Sequence, residues 1–82
     1  MPYPKVRAVE ILDDHTLLVA FDNAHKRAYD VTPLLQKAMF APLKTPAFFK
    51  SVQVERGGYA VVWNSEIDIS EYELWSKGRP VP

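Results

Sequence analysis

The sequence has no cysteine, only three glycines and no excess charge of either sign. Without cysteine it has no disulfide, no thiolate nucleophile and no cysteine-bound zinc or iron–sulfur cluster, a composition that suits the reducing cytoplasm. Ten basic residues balance ten acidic ones, so no overall field draws the chain to nucleic acid or to an anionic membrane. No apolar run approaches the roughly 20 residues that span a bilayer, and the N-terminal MPYPKVRAVE lacks the apolar core of a secretory signal. We expect a cytoplasmic protein without a membrane segment.

The 82 residues are enough for one small domain. We expect it to extend over residues 1–82, with flexible ends at 1–4 and 79–82. Hydrophobic residues make up 48% of the chain, which is typical of a globular domain. A domain of this size buries only about 60–65% of its unfolded surface, which leaves room for a partner chain to complete its core.

Alternating apolar and polar residues predict three strands near the N-terminus, over residues 5–12, 15–21 and 26–31. In the first, Val9 and Ile11 share one side, while Val6 falls on the other. The turn before the third strand has two interpretations. A two-residue Asn23-Ala24 turn forces Ala24 to positive φ, whereas a three-residue loop places Tyr29 opposite Val19. We favour the loop because the apolar faces then agree.

A short helix is predicted next, with Thr32 as its N-cap and Pro33 at its first position. The segment 40–49 is interrupted by prolines but is too apolar for a free linker, and we expect its apolar side chains to pack over the sheet: Phe40, Leu43, Phe48 and Phe49. A second hairpin follows, from strands at 51–55 and 59–63 that flank a glycine-containing turn.

The last helix is predicted over residues 71–77. Ser70 and Glu73 have the spacing of a capping box, Ile69 and Leu74 that of a hydrophobic staple, and Gly78 ends the helix. The whole order predicts an α+β fold with a small, mainly antiparallel sheet of about five strands: three strands, a short helix, two strands and a short helix.

Asp30 and Asp68 each precede a predicted helix start by two residues. Two carboxylates in one cleft can perform general acid and base catalysis. We favour the alternative, in which each acid binds nearby backbone N–H groups and the positive end of a helix. His15 and His25 lie at opposite ends of a predicted hairpin, on the order of 25 Å apart, so they predict no shared metal site.

Nucleophilic and nucleotide-binding motifs are missing from the sequence: it has neither a Gly-x-Ser-x-Gly elbow nor a phosphate-binding loop. Four basic residues could form a small nucleic-acid platform, but acids alternate with them and a solvated face is favoured: Lys5, Arg7, Lys26 and Arg27. Trp63 and Trp75 are either core residues or, with Tyr72, interaction anchors. Core is favoured for Trp63 and the two roles are balanced for Trp75.

Two segments, RAYDVTPLL (27–35) and VVWNSEIDISEYEL (61–74), resemble the small bacterial family known as domain of unknown function 2442. The matching residues are Tyr29, Asp30, Pro33, Leu34, Leu35, Trp63, Asp68, Ile69 and Leu74. Ala24 departs from the pattern, standing where many relatives have the glycine of an Asn-Gly turn. The resemblance implies an α+β domain with no established enzymatic activity, often encoded beside another small protein in an arrangement that suggests toxin–antitoxin pairing.

We therefore expect a non-enzymatic protein-interaction module, antitoxin-like or an adaptor, without cofactor or metal. Its expected partner is another small protein, or a second copy of the chain joined through a sheet edge. The alternatives are a regulatory nucleic-acid-binding domain and a small acid/base enzyme that uses Asp30 and Asp68. The candidate interaction residues are Trp63, Asp68, Tyr72, Trp75, Arg27 and Asp30.

Overall fold

A computed structural model describes residues 3–81. Its strands are β1 (Val6–Asp13), β2 (Thr16–Phe21), β3 (Lys26–Asp30), β4 (Gln53–Val54), β5 (Ala60–Val62), β6 (Asp68–Ser70) and β7 (Arg79–Val81). Its helices are two 3-10 helices (Thr32–Gln36 and Ala38–Lys44), α1 (Pro46–Phe49) and α2 (Glu71–Lys77). The two longest of these helices have seven residues each, far fewer than a helix needs to cross a membrane.

The α+β class and the antiparallel pairing are confirmed, but the strands of the described part form two sheets. One has the order β1-β2-β3-β7 and the other β4-β5-β6, and all neighbours are antiparallel. The sequence did not predict β6 or β7. Each has only three residues, too few to show an alternating pattern.

A β-bulge in β1 changes the predicted faces of that strand. Val6 pairs with Phe21, whereas Ala8 pairs with Ala20, so β1 advances two residues while β2 advances one. The extra residue turns Val6 to the same side as Val9. The prediction that these two valines face opposite sides was therefore wrong, and both contribute to the core.

The β2–β3 hairpin has the predicted three-residue loop but a different register. Tyr29 pairs with Leu17 and not with Val19, because the loop closes at Phe21, whose N–H binds the His25 carbonyl at 2.9 Å. A shift of two residues preserves the faces, so Tyr29 still points into the core. Ala24 has a φ of 72°. A positive φ at this residue was the argument against the two-residue turn, and the observed three-residue loop has it as well.

The segment after β3 forms 3-10 turns, and Thr32 does not cap them. Val31 occupies the N-cap position, and the Asp30 carboxylate accepts a hydrogen bond of 2.8 Å from the Thr32 N–H. Phe40, Leu43 and Phe49 are buried, which confirms that this segment packs over the sheet.

One core joins the two sheets and the helices. The side chains of Leu17, Val19 and Phe21 on β2 belong to the same buried cluster as Val61 of β5 and Leu74 of α2. All of them lie on one side of the four-stranded sheet, which we call its inner face. The helices and the second sheet contribute their core residues on this side.

The C-terminal helix is confirmed over Glu71–Lys77, with the Ser70 hydroxyl accepting a 3.1 Å hydrogen bond from the Glu73 N–H. The chain then continues into β7, which pairs with β3. The predicted flexible end was therefore wrong for residues 79–81. At the other end, the centroids of the Tyr3 and Tyr72 rings are 4.6 Å apart. Positions 1, 2 and 82 lie outside the described residues.

Candidate functional site

Three exposed tyrosines come together although they are far apart in sequence. The exposed fractions of Tyr3, Tyr59 and Tyr72 are 42%, 56% and 49%. The Tyr3 and Tyr72 rings are in tilted contact, and the Lys5 ammonium lies 4.8 Å from the centre of the Tyr59 ring. With Trp75, these tyrosines define a surface that we call the aromatic patch.

Local structure fixes the members of the aromatic patch that lie on α2. Ser70 caps the helix, and burial of Leu74 fixes its orientation about its axis. Tyr72 and Trp75 are three residues apart, so they are neighbours on the helix surface. Helix geometry therefore places both aromatic side chains beside each other.

The turn before β5 brings Tyr59 to the same place. A Cβ on Gly58 would lie 2.5 Å from the carbonyl oxygen of Val6, so only glycine allows this close approach of the turn to β1. The Val6 N–H then donates to the Gly58 carbonyl at 2.8 Å, and the Glu71 N–H to the Tyr59 carbonyl at 2.9 Å. These bonds tie the start of β5 to both β1 and α2.

Lys5 connects the parts of the aromatic patch electrostatically. Its ammonium lies 3.4 Å from the Glu71 carboxylate as well as over the Tyr59 ring. The side chains of Lys5 and Glu71 are 31% and 16% exposed, so the ion pair is partly shielded from water. The centre of the aromatic patch is consequently neutral and held in place.

Trp75 lies at the border of the aromatic patch and is half-buried. Its ring makes an edge contact with Phe21 at 5.2 Å between centroids, and the Arg27 guanidinium lies over it at 3.8 Å. His25 lies 5.9 Å from the same ring. One side of the Trp75 ring thus contacts the core and the other lies at the surface. This agrees with the prediction, which favoured the core and interaction roles of Trp75 equally. Arg27 is half-buried where it stacks on Trp75.

Trp63 is a core residue and not an interaction anchor. It is 9% exposed, its indole N–H donates to the Phe49 carbonyl at 2.9 Å, and its ring stacks on that of Phe49. A buried indole whose N–H is satisfied internally offers no group to a partner.

Asp30 and Asp68 are not brought into one cleft. Asp30 borders a cavity of about 310 Å³ with Tyr29 and Glu73, and Asp68 borders other cavities. The hydroxyl and N–H of Thr32 lower the pKa of Asp30, with a smaller effect of His15 at 3.3 Å. Asp30 therefore acts as the turn acid that the sequence predicts, and the geometry gives no support to a paired acid and base.

The remaining candidates are dispersed. Lys26 and Arg27 project from opposite faces of β3, and Lys5 is engaged by Glu71. These basic side chains therefore form no common platform. Within residues 3–81, no three histidine or acidic side chains are arranged to bind a metal ion.

Tyr72, Trp75 and Arg27 were predicted from the sequence as interaction residues, but their connection with Tyr3 and Tyr59 was not. The available signal was the position of Tyr59 immediately after the Gly57-Gly58 turn, where a strand has just begun and its side chain is commonly exposed. The approach of Tyr59 to α2, where its carbonyl accepts from the Glu71 N–H, depends on the pairing of the second sheet and is not predictable from the local sequence.

Residues 6–80 match the family described as "Protein of unknown function (DUF2442)", which covers nearly the whole chain. No curated protein and no solved structure matches the chain.

Proposed function

The chain belongs to the DUF2442 family of proteins of unknown function, and from its surface we propose that it is a protein-interaction module. The aromatic patch is the binding surface in this proposal, and the partner is another small protein. The module acts in the cytoplasm as an adaptor or as the antitoxin-like member of a pair.

The observation that carries the proposal is that three exposed tyrosines are connected, Tyr3 with Tyr72 by ring contact and Tyr59 with Tyr3 through Lys5. Tyrosine and tryptophan dominate the binding energy of protein interfaces because they bury a large apolar area and keep a polar tip. Tyr3, Tyr59 and Tyr72 are three of the five large hydrophobic residues that are exposed in residues 3–81. Their gathering at one place is the pattern of an interface rather than of scattered surface residues.

The aromatic patch is also preorganised. The Lys5–Glu71 ion pair and the Tyr3–Tyr72 contact restrict the rings before a partner arrives. Side chains that are already ordered lose less entropy on binding, roughly 0.5–1.5 kcal/mol for each one that would otherwise be immobilised. Since the centre is neutral, the fitting partner presents an apolar surface with hydrogen-bond acceptors for the tyrosine hydroxyls.

The proposal is tested by purifying the tagged protein from its native cells, with nuclease treatment, and identifying the retained proteins by mass spectrometry. The test variant replaces Tyr3, Tyr59 and Tyr72 with serine. The matched control is Met39→Ser, because Met39 is 56% exposed, as Tyr59 is, but lies outside the aromatic patch. We expect one small protein in stoichiometric amount with wild type and with the control, and its loss with the triple variant. Equal recovery with all three proteins would refute the proposal.

A further inference from the structure

The four-stranded sheet has a second face that no other part of the described chain covers. Strand pairing aligns its side chains in two rows across the sheet, one made of Glu10, Leu18, Ala28 and Arg79, and the other of Ala8, Ala20, Lys26 and Val81. We call these eight residues the outer face. Ala28 is buried, at 3% exposed, and the other seven belong neither to the core nor to the partly buried residues that pack against it.

The outer face is unusually apolar for a surface exposed to water. An antiparallel sheet with one solvated face normally carries polar residues there. Five of the eight positions here are apolar, and the other three are charged: Glu10, Lys26 and Arg79. Three of the apolar residues are alanines, which leave the surface flat enough for another sheet to approach closely.

The charges at the two edges of the outer face have opposite signs, and Lys26 adds a second positive charge on the interior strand β3. Glu10 is on the edge strand β1 and Arg79 on the edge strand β7, three strand spacings or about 14 Å apart, so they are too distant to pair within one chain. Among the described residues neither takes part in an ion pair. A face with a negative charge at one edge and a positive charge at the other can pair with a second copy of itself.

A two-fold axis shows the fit. Suppose that the axis lies between two copies, parallel to the strands and midway between β2 and β3. Each row of one copy then faces the same row of the other copy, with the strands in the opposite order. Glu10 of each copy then lies opposite Arg79 of the other, and Leu18 lies opposite Ala28, a large side chain against a small one. In the second row Ala8 faces Val81, and Ala20 faces Lys26, whose aliphatic stem can lie over the alanine while its ammonium reaches water. This arrangement is the isologous contact of a symmetric dimer with aligned sheets.

We propose that the outer face binds the outer face of a second copy of this chain, giving a symmetric dimer of face-to-face sheets. Four strands about 4.8 Å apart and five residues of about 3.4 Å each give a face of roughly 20 by 17 Å. Such a face, roughly 340 Å² on each copy, is smaller than the interfaces of stable complexes, so the dimer is weak and reversible, with Kd on the order of 10–100 µM. Leu74 places α2 on the inner face, so the aromatic patch remains exposed in the dimer.

The test is sedimentation analysis of the purified full chain from about 5 µM to 1 mM, on a wild-type protein and charge-reversed variants. We expect the weight-average mass of wild type to rise from 9.4 kDa towards twice that value. Glu10→Arg and Arg79→Glu each place like charges opposite one another and should weaken the dimer at least tenfold. Combining them restores opposite charges and should return Kd to within about threefold of wild type.

Glu55→Arg is the control for charge change alone, because Glu55 is exposed on the hairpin of the other sheet. It should leave Kd unchanged. Both test positions are exposed, and circular dichroism verifies that each variant folds. A wild-type protein that stays monomeric at 1 mM, or a double variant no better than the single ones, would overturn the proposal. Loss of partner binding through the aromatic patch is measured separately and does not affect this result.

Discussion

The Tyr29 hydroxyl donates a hydrogen bond of 2.8 Å to the Glu73 carboxylate and so joins β3 to α2 across 44 residues of chain. Burial raises the pKa of Tyr29 well above its ordinary value, and Glu73 raises it further, so the hydroxyl remains a donor at neutral pH. The same bond explains why the capping box is only half formed. Ser70 accepts from the Glu73 N–H, but the Glu73 side chain binds Tyr29.

Tyr29→Phe should lower the free energy of unfolding by about 1–2 kcal/mol, because it removes a donor to a charged, half-buried acceptor. Urea denaturation measures the change. Tyr72→Phe is the control, since it removes the hydroxyl of an exposed ring and should change stability by less than about 0.5 kcal/mol. Equal effects of the two substitutions would show that the bond to Glu73 does not stabilise the fold.

Asp30→Asn should reveal a pH-dependent contribution of the Asp30 charge. The pKa of Asp30 is lowered from 3.8 in the fold, chiefly by hydrogen bonds from Thr32, so its stabilisation is present above that value and is lost as pH falls through the folded pKa. Because Asp30 is about half exposed, the effect is expected to stay below about 1 kcal/mol. Unfolding measured from pH 6 to pH 2 should show the gap between wild type and variant closing below pH 4. A gap that widens with acid would contradict this.

Gly78→Ala should destabilise the protein by about 1–3 kcal/mol through overpacking. The backbone of Gly78 has φ of −70°, which any residue adopts, but an added Cβ would lie 2.4 Å from the Leu74 carbonyl oxygen and 2.8 Å from Arg27 Cβ. Thermal and urea unfolding test the prediction. Ser76→Ala, on the exposed part of the same helix, should be nearly neutral, and a neutral Gly78→Ala would show that the helix end relaxes freely.

Ala24→Gly should stabilise the hairpin. Ala24 has φ of 72°, a conformation that costs an L-residue roughly 1–2 kcal/mol and glycine almost nothing. The greater flexibility of glycine in the unfolded chain offsets part of this gain, so we expect about 0.5–1 kcal/mol, or a rise in Tm of a few degrees. Ala41→Gly, at an exposed position without positive φ, should have the opposite sign. The same sign for both would contradict the assignment of strain to Ala24.

The sequence predicted the elements whose signals are local. The Ser70 cap and Gly78 delimited α2, and alternation located β1, β2 and β3 because each strand has at least five residues. The bulge in β1 was not predictable, because an unpaired residue becomes apparent only when the partner strand is known.

The candidate site was only partly predictable for a related reason. Tyr72 and Trp75 are neighbours on one helix, as their spacing of three residues predicts. Tyr3 and Tyr59 join them through the contacts of Lys5 and the pairing of β5 with β6, which are tertiary. Conversely, core was favoured for Trp63 because its side chain is large for so small a domain, and its buried indole confirms this.

The central claim, that the aromatic patch binds a protein partner, is tested most directly by photo-crosslinking in the native cells. A benzophenone amino acid replaces Tyr72 in one experiment and Met39, exposed outside the aromatic patch, in the other. We predict a covalent adduct with a single small protein from position 72 and none from position 39. No adduct from position 72, or the same adducts from both positions, would contradict the claim.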